Sequence, residues 1–285
     1  MSSVSMSDGP QVWSPRTGRW QSAAPEAVGT AAPLAAIDSW LLEDGRVRGL
    51  ERHRARFAAA VAGASPDARH VPGAADVERF LKAAFALLPT EGRSFPRIEL
   101  TADGDLRLWL RPAPAVEDEV VVYATPFPDR RRRPQRKGPD LARQHQWRSA
   151  VEAFDAGEGL LAAPAGTITE GIWSTPLWWD GDVLCALPRR APVLDSVTRS
   201  LVLDVARELD VEVGRAEPSV GRLRDSETWM LSALHGIRLV TGWLLVPGSA
   251  PEPALRVPGR AAEWQARLQA LAAPVVDDGG GGAQR

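Results

Sequence analysis

The sequence predicts an α+β protein built as two domains. Three observations point that way. Hairpin signals and helical periodicity alternate along residues 34–125. A proline- and arginine-rich stretch then interrupts the pattern at residues 126–139. Beyond it, short β-branched runs with tight turns are followed by capped helical segments.

In chain order, residues 1–33 read as a disordered tail, and so do residues 276–285 with their four-glycine run. Residues 34–125 form the small domain. Residues 36–42 and 47–50 make a hairpin about Glu43-Asp44-Gly45, where glycine supplies the positive φ. Residues 51–64 make a short helix, with Phe57 and Val61 four apart. Residues 75–88 place Val77, Phe80, Leu81, Ala84, Phe85 and Leu88 on one face, and Pro89 stops that helix. A second hairpin joins residues 96–100 to 106–111 through Ala102-Asp103-Gly104-Asp105, and residues 119–124 form a β-branched strand. The interdomain linker falls at residues 126–137, where Arg130, Arg131, Arg132, Arg133, Arg136 and Lys137 cluster among prolines. Residues 138–275 form the large domain. Its first helix covers residues 141–156, and an up-and-down strand series follows at 159–164, 167–172, 177–179 and 183–187. Asp195 or Ser196 caps a helix over 197–209, strands follow near 211–213, 228–231 and 240–246, and a last helix covers 260–271.

Composition narrows the function. The 285 residues are 44% apolar and 25% charged with a net charge of −2, so the chain as a whole has no attraction to nucleic acid or to an anionic membrane. The basic run 130–137 is a candidate phosphate footprint, but it is short, broken by proline and set in a neutral protein. Cys185 is the only cysteine, which excludes an internal disulfide framework and a thiolate cluster built from this chain, and it reads as a small buried hydrophobe. There is no run of eighteen apolar residues and no signal-peptide pattern at the start, so we expect a cytoplasmic protein with no membrane partner. His145 and His235 lack metal-site spacing, and no metal is expected.

Four segments carry candidate chemistry. Lys137 ends the basic run; a lysine that must act as a nucleophile has to be partly neutral, and neighbouring cations favour that. Glu170, in Thr169-Glu170-Gly171, is a lone carboxylate where an otherwise uncharged strand turns. Leu194-Asp195-Ser196-Val197-Thr198-Arg199 opens a helix, whose unpaired N–H groups and positive dipole end form a phosphate cradle. His53 and Arg56, three apart, share one face of the first helix, and Arg56 can ion-pair a phosphate. Each alone has an ordinary structural reading as a solvated charge or a plain capped helix.

Taken in order, the His53–Arg56 helix, the Lys137 segment, the Thr-Glu-Gly turn at Glu170 and the Thr-Arg helix start at Val197, Thr198 and Arg199 resemble the class IV aminotransferases. These are the fold-type IV pyridoxal-5′-phosphate (PLP) enzymes, which include branched-chain aminotransferases and aminodeoxychorismate lyases. The stretch from Leu231 to Val240 resembles the family's late phosphate-side loop. The resemblance implies a small N-terminal α/β sandwich domain, a larger C-terminal α/β domain with a mixed, β-barrel-like core, PLP in the cleft between them, and a homodimer. It implies that Lys137 holds PLP as a Schiff base and shuttles the proton, and that Glu170 binds the pyridine nitrogen. Arg56, Val197, Thr198, Ser232 and Ala233 would hold the phosphate, and Arg97 would reach the substrate carboxylate. Two positions depart from the family pattern. The tyrosine expected soon after the lysine is missing, since Gly138-Pro139-Asp140-Leu141-Ala142 follows and Tyr123 is the only tyrosine; and Ile172-Trp173-Ser174-Thr175-Pro176 replaces the usual Ser-Asn after the glutamate. Trp173 and Ser174, with Trp178 and Trp179, become candidate substrate walls. The expected reaction is amino transfer between an amino acid and a 2-oxo acid. The alternatives are lyase chemistry releasing pyruvate to form 4-aminobenzoate, and a non-catalytic or nucleic-acid-binding relative.

Overall fold

The computed structural model describes residues 9–23, 33–65 and 67–275. The chain divides into two units, residues 1–114 with 271–285, and residues 115–270. The expected C-terminal tail and parts of the expected N-terminal tail lie outside the described residues. The rest of that N-terminal stretch is a correction: β1 (Gln11–Ser14) and β2 (Arg19–Ser22) form an antiparallel hairpin. Trp13 and Trp20 lie directly opposite in its register with ring centroids 5.1 Å apart, and this cross-strand aromatic pair anchors the hairpin to the core.

In the first unit β3 (Leu34–Ser39), β4 (Leu42–Glu43) and β5 (Arg46–Arg48) precede α1 (Leu50–Ala62) and α2 (Ala74–Phe85). Then come β6 (Arg93–Ser94), β7 (Arg97–Thr101) and β8 (Leu106–Trp109). A five-stranded antiparallel sheet has the order β2-β1-β8-β7-β3. A smaller sheet pairs β4 and β5 with β6 and with the C-terminal strand Ala272–Pro274. The predicted apolar face of α2 is real: Val77, Phe80, Leu81 and Ala84 are buried. Phe80 is fully buried between Trp20 and Phe57. Phe80→Ala should cost about 3–5 kcal/mol in urea unfolding of the full chain, the range for emptying a packed aromatic site.

The second unit begins with β9 (Glu119–Pro128) and α3 (Leu141–Glu152), followed by β10 (Glu158–Ala162), β11 (Ile168–Gly171), β12 (Thr175–Asp180) and β13 (Val183–Ala186). The chain continues through α4 (Val197–Glu208), β14 (Val213–Arg215), α5 (Val220–Arg224), β15 (Thr228–Ser232), β16 (Gly236–Leu244), β17 (Glu252–Pro253) and α6 (Arg260–Ala270). The sheet order is β11-β10-β9-β16-β15-β12-β13-β14, with β17 on β16. This replaces the expected up-and-down series. β9 runs parallel to both β10 and β16, and β13 runs parallel to β14. Parallel neighbours need a crossover, which α3 supplies between β9 and β10 and α4 supplies between β13 and β14.

The expected boundary at residues 126–137 shifts for the same reason. The β-branched strand assigned to the small domain is a central strand of the second unit, so the division falls between Pro114 and Ala115. Residues after Pro128 stay attached to that sheet, because Asp129 N–H donates to Ala162 O at 2.8 Å.

Candidate active site

The site is built on the end of β9, the β10–β11 hairpin and the loop entering α4. Glu170 sits on β11 opposite Leu161 and is only 3% exposed. Its carboxylate accepts from Arg131 Nη1, from Leu194 N–H at 3.3 Å and from Thr175 Oγ1 at 3.3 Å. Burial pushes the Glu170 carboxyl above its ordinary range, and the Arg131 charge, the Leu194 N–H and Arg199 oppose that rise. Arg131 is held in turn by Asp129, with Nε at 2.9 Å from Oδ1 and Nη2 at 2.7 Å from Oδ2, a two-pronged carboxylate contact. Thr169 Oγ1 donates to the same Asp129 at 2.8 Å. Asp129 and Arg131 therefore place a fixed guanidinium beside Glu170.

Gly171 follows Glu170 because nothing larger fits. A Cβ there would meet Ser174 Oγ at 2.5 Å and Met230 Cε at 2.7 Å. The turn beyond is tied down by a carboxylate the sequence reading did not single out. Glu158, buried, accepts from Ile172 N–H at 3.1 Å, Ser174 Oγ at 2.6 Å and the fully buried Arg238 at 3.0 Å. A lone charge opening an apolar strand was the available signal.

Lys137 lies in the half-buried loop between Arg131 and α3. Both ends of that loop are anchored to the glutamate turn. Arg131 pairs with Glu170, and Gln144 Nε2 donates to Ile172 O at 2.7 Å. Within the loop, the Asp140 carboxylate accepts from the Arg132 and Arg133 N–H groups, each at 2.9 Å. Gly138 adopts a φ of 131°, a conformation open to glycine. The basic run is thus a folded turn of the site, whereas the sequence marked it as a linker.

At α4, Ser196 caps the helix by accepting from Arg199 N–H at 3.2 Å. The N–H groups of Val197 and Thr198 are first-turn donors with no intrahelical partner. Leu194, in the loop just before them, is the residue that touches Glu170. Ser232 ends β15, and its hydroxyl accepts from His235 N–H at 3.1 Å, closing the turn that contains Ala233. Ser174 turns inward to Glu158, and Trp173 packs its ring 4.9 Å from His145. The expected wall of Trp178 and Trp179 is corrected. Trp178 is 1% exposed in the core, and Trp179 packs against Trp229 and Trp264.

The other two predicted residues belong to the first unit. Arg56 reaches both oxygens of the buried Asp38, Nε to Oδ2 at 2.8 Å and Nη2 to Oδ1 at 2.7 Å, while His53 Nδ1 lies 2.9 Å from Oδ1. Arg97 pairs with Glu99. Burial alone would raise the Asp38 pKa, but Arg56 and His53 hold it well below the usual carboxylate range. A folded value below the unfolded one, about 3.9, gives stability that is present above that pH and lost as pH falls through the folded value. Asp38→Asn should therefore flatten the acid limb of the stability–pH curve below about pH 4, measured by urea unfolding at successive pH values.

Residues 35–243 match the family model for amino-transferase class IV. The chain belongs to the class IV aminotransferases. It is a PLP-dependent enzyme of fold type IV, as that family is. No curated protein sequence matches this class IV chain significantly. Among solved structures it is similar to a hypothetical aminotransferase from Mycobacterium tuberculosis in its PLP-bound form, with TM-score 0.73 and 17% identity over 92% of this chain and 98% of the other. It is similar to the Escherichia coli branched-chain amino acid aminotransferase, with TM-score 0.72 and 15% identity over 96% and 97%. A provisionally assigned 4-amino-4-deoxychorismate lyase gives TM-score 0.65 and 20% identity over 89% and 96%. At these identities the likeness establishes the shared fold. The second unit of this class IV chain fits the cofactor: a buried carboxylate suits a protonated ring nitrogen, and the adjoining helix start offers uncapped N–H donors to a phosphate. Among the described residues no helix is long and apolar enough to cross a membrane, and no cluster of three metal-binding side chains occurs.

Proposed function

We propose that this class IV protein transfers an amino group between an amino acid and a 2-oxo acid, with Lys137 as the residue that holds PLP covalently. The observation that carries the proposal is the contact of Glu170 with both Arg131 and the loop that enters α4. It supports a single site joining a ring-nitrogen carboxylate to a phosphate cradle.

When bound, PLP supplies an electron sink for the pair released at the substrate α-carbon. The remaining work falls to the chain. Glu170 accepts the ring N–H, and Arg131 orients that carboxylate and opposes the rise that burial gives its pKa. The Val197 and Thr198 N–H groups, with the turn at Ser232 and Ala233, bind the phosphate. Lys137 Nζ takes the proton from the substrate α-carbon and returns it to the carbon two atoms away, a 1,3 shift for which a flexible primary amine is suited. Trp173 and Ser174 border the substrate.

The test is product analysis. Purified protein reconstituted with PLP is incubated with a panel of amino donors and 2-oxoglutarate, and products are read by mass spectrometry. Glutamate formed in proportion to the oxo acid of the donor is the expected result. Pyruvate and 4-aminobenzoate released from aminodeoxychorismate, with no glutamate from any donor, would replace this reading with the lyase one. A homodimer belongs to the same proposal and is measured by light scattering.

A further inference from the structure

We propose that Arg238 is a positioning residue of the site: through Glu158 it fixes the turn at residues 172–174 and, with it, the setting of Glu170. Every contact involved lies within the second unit. Residues 170–175 leave one carboxylate and return to it. Thr175 Oγ1 donates to Glu170 Oε1 at 3.3 Å, and Gly171 N–H donates to Ser174 O at 2.8 Å. Between those ends the turn is seated on Glu158. Its Oε1 accepts from Ile172 N–H at 3.1 Å and Trp173 N–H at 3.4 Å, and its Oε2 accepts from Ser174 Oγ at 2.6 Å. Three consecutive residues thus converge on one buried carboxylate, with Ile172 N–H shared with Gly159 O at 3.0 Å.

A carboxylate removed from water needs a cation, and Arg238 supplies it. Nη2 donates to Glu158 Oε2 at 3.0 Å, with both side chains buried. The other acid near Arg238 is Glu117, at 3.6 Å and largely exposed, so water screens that contact and the guanidinium serves Glu158 first. The backbone that carries Arg238 is itself part of the site. Arg238 stands opposite Met230 in the β15–β16 register, and Met230 is one of the side chains that leave no room for a Cβ at Gly171. At the turn joining those strands, Glu117 N–H donates to His235 Nδ1 at 3.1 Å and His235 N–H donates to Ser232 Oγ at 3.1 Å. Contacts therefore run without a break from the Ser232 turn, through Arg238 and Glu158, to the turn that follows Glu170.

Replacing a buried ion pair by apolar groups of similar volume is often neutral for stability, so we assign this pair a geometric role. Without the guanidinium, Glu158 is a buried charge with no adequate counterion. It turns toward water and releases Trp173 and Ser174, and Thr175 then leaves Glu170. That Glu170 meets the ring nitrogen of PLP rests on the proposed function; the hold of Arg238 on the turn does not.

The experiment compares the full chain with Arg238→Met, with Arg238→Met/Glu158→Gln and with Arg238→Met/Glu158→Leu. Amide hydrogen exchange of residues 170–176 is read in the apo protein against that of α4, so that a global loss of stability cancels. PLP is then titrated while its visible band is recorded. Arg238→Met should speed exchange of the turn about ten-fold or more, weaken PLP about ten-fold and displace the band. The glutamine double variant should recover both readouts, because a neutral amide keeps an acceptor for the turn and needs no cation. The leucine double variant also lacks the unpaired charge but has no acceptor, so it should keep both faults; a residue that served stability alone would not separate the two. Wild-type exchange and an unmoved band in a folded Arg238→Met overturn the proposal. So does a leucine double variant that matches the glutamine one, a comparison that stands even if Arg238→Met fails to fold. Wild-type protein that binds no PLP refutes the proposed function, while the exchange readout still decides the role of Arg238.

Discussion

Lys137→Ala, purified with PLP, should lose the visible absorbance band of the covalently held cofactor and lose turnover with it. Two contributions combine. Proton transfer by a positioned base contributes about 10²–10⁴-fold, and alanine has no nitrogen to supply it. Covalent attachment is lost as well, so PLP should wash out on dialysis, held only by the phosphate and ring-nitrogen contacts. The fold should tolerate the change, because the loop is fixed by Asp140, Arg131 and Gln144 and not by the Lys137 side chain alone. Circular dichroism checks the fold, absorbance the attachment and a single-turnover assay the rate. A variant that keeps its colour after dialysis would remove Lys137 from the proposed role.

Arg131→Gln should produce the second large effect, in stability first. It leaves the buried Glu170 and the half-buried Asp129 without their shared cation, and breaking a buried pair such as Arg131 with Glu170 costs about 3–5 kcal/mol. The pH dependence gives the direction. Without Arg131 the Glu170 carboxyl moves further above its unfolded value of about 4.3. The folded state then binds the extra proton, so stability falls as pH rises through the interval between the two values. Urea unfolding of the apo protein from pH 4 upward, in ~1 unit steps, measures this slope. Adding Glu170→Gln should remove the slope and recover part of the loss, because the two side chains act as one unit. A slope unchanged between Arg131→Gln and the double variant would show that Arg131 does not act through Glu170. PLP affinity, read by fluorescence titration, should weaken in both single variants.

Much of this fold was legible in the sequence for a local reason. The Glu43-Asp44-Gly45 turn, the apolar face of α2 and the Ser196 cap each depend on residues a few positions apart, and the structure contains all three. The hairpin at Trp13 and Trp20 was missed because a short aromatic ribbon in a polar, proline-flanked stretch looks like tail until a sheet edge receives it. Trp178 and Trp179 show the opposite error. Their size and proximity suggested a pocket wall, yet a strand with both faces covered buries consecutive residues alike.

The site divides along the same line. Lys137, Glu170, Val197 and Thr198 are candidates that residue type and order suggest. The partners of such residues are not legible that way, because Arg131 and Glu170 are 39 residues apart and Arg238 and Glu158 are 80 apart. A run of arginines looks uniform in sequence, and burial beside Asp129 makes one of them different.

By itself, then, the sequence determined most of the helices and strands of residues 34–275 and which family's motifs they carry, and it named candidates for a PLP site. Only the tertiary structure decided that β9 belongs to the second unit, that Arg131 meets Glu170, and that Arg97 pairs with Glu99. The physical reason is range. Periodicity and turn preference are set by neighbours along the chain, whereas strand order and the balance of charge are set by whatever the folded chain brings within a few ångströms.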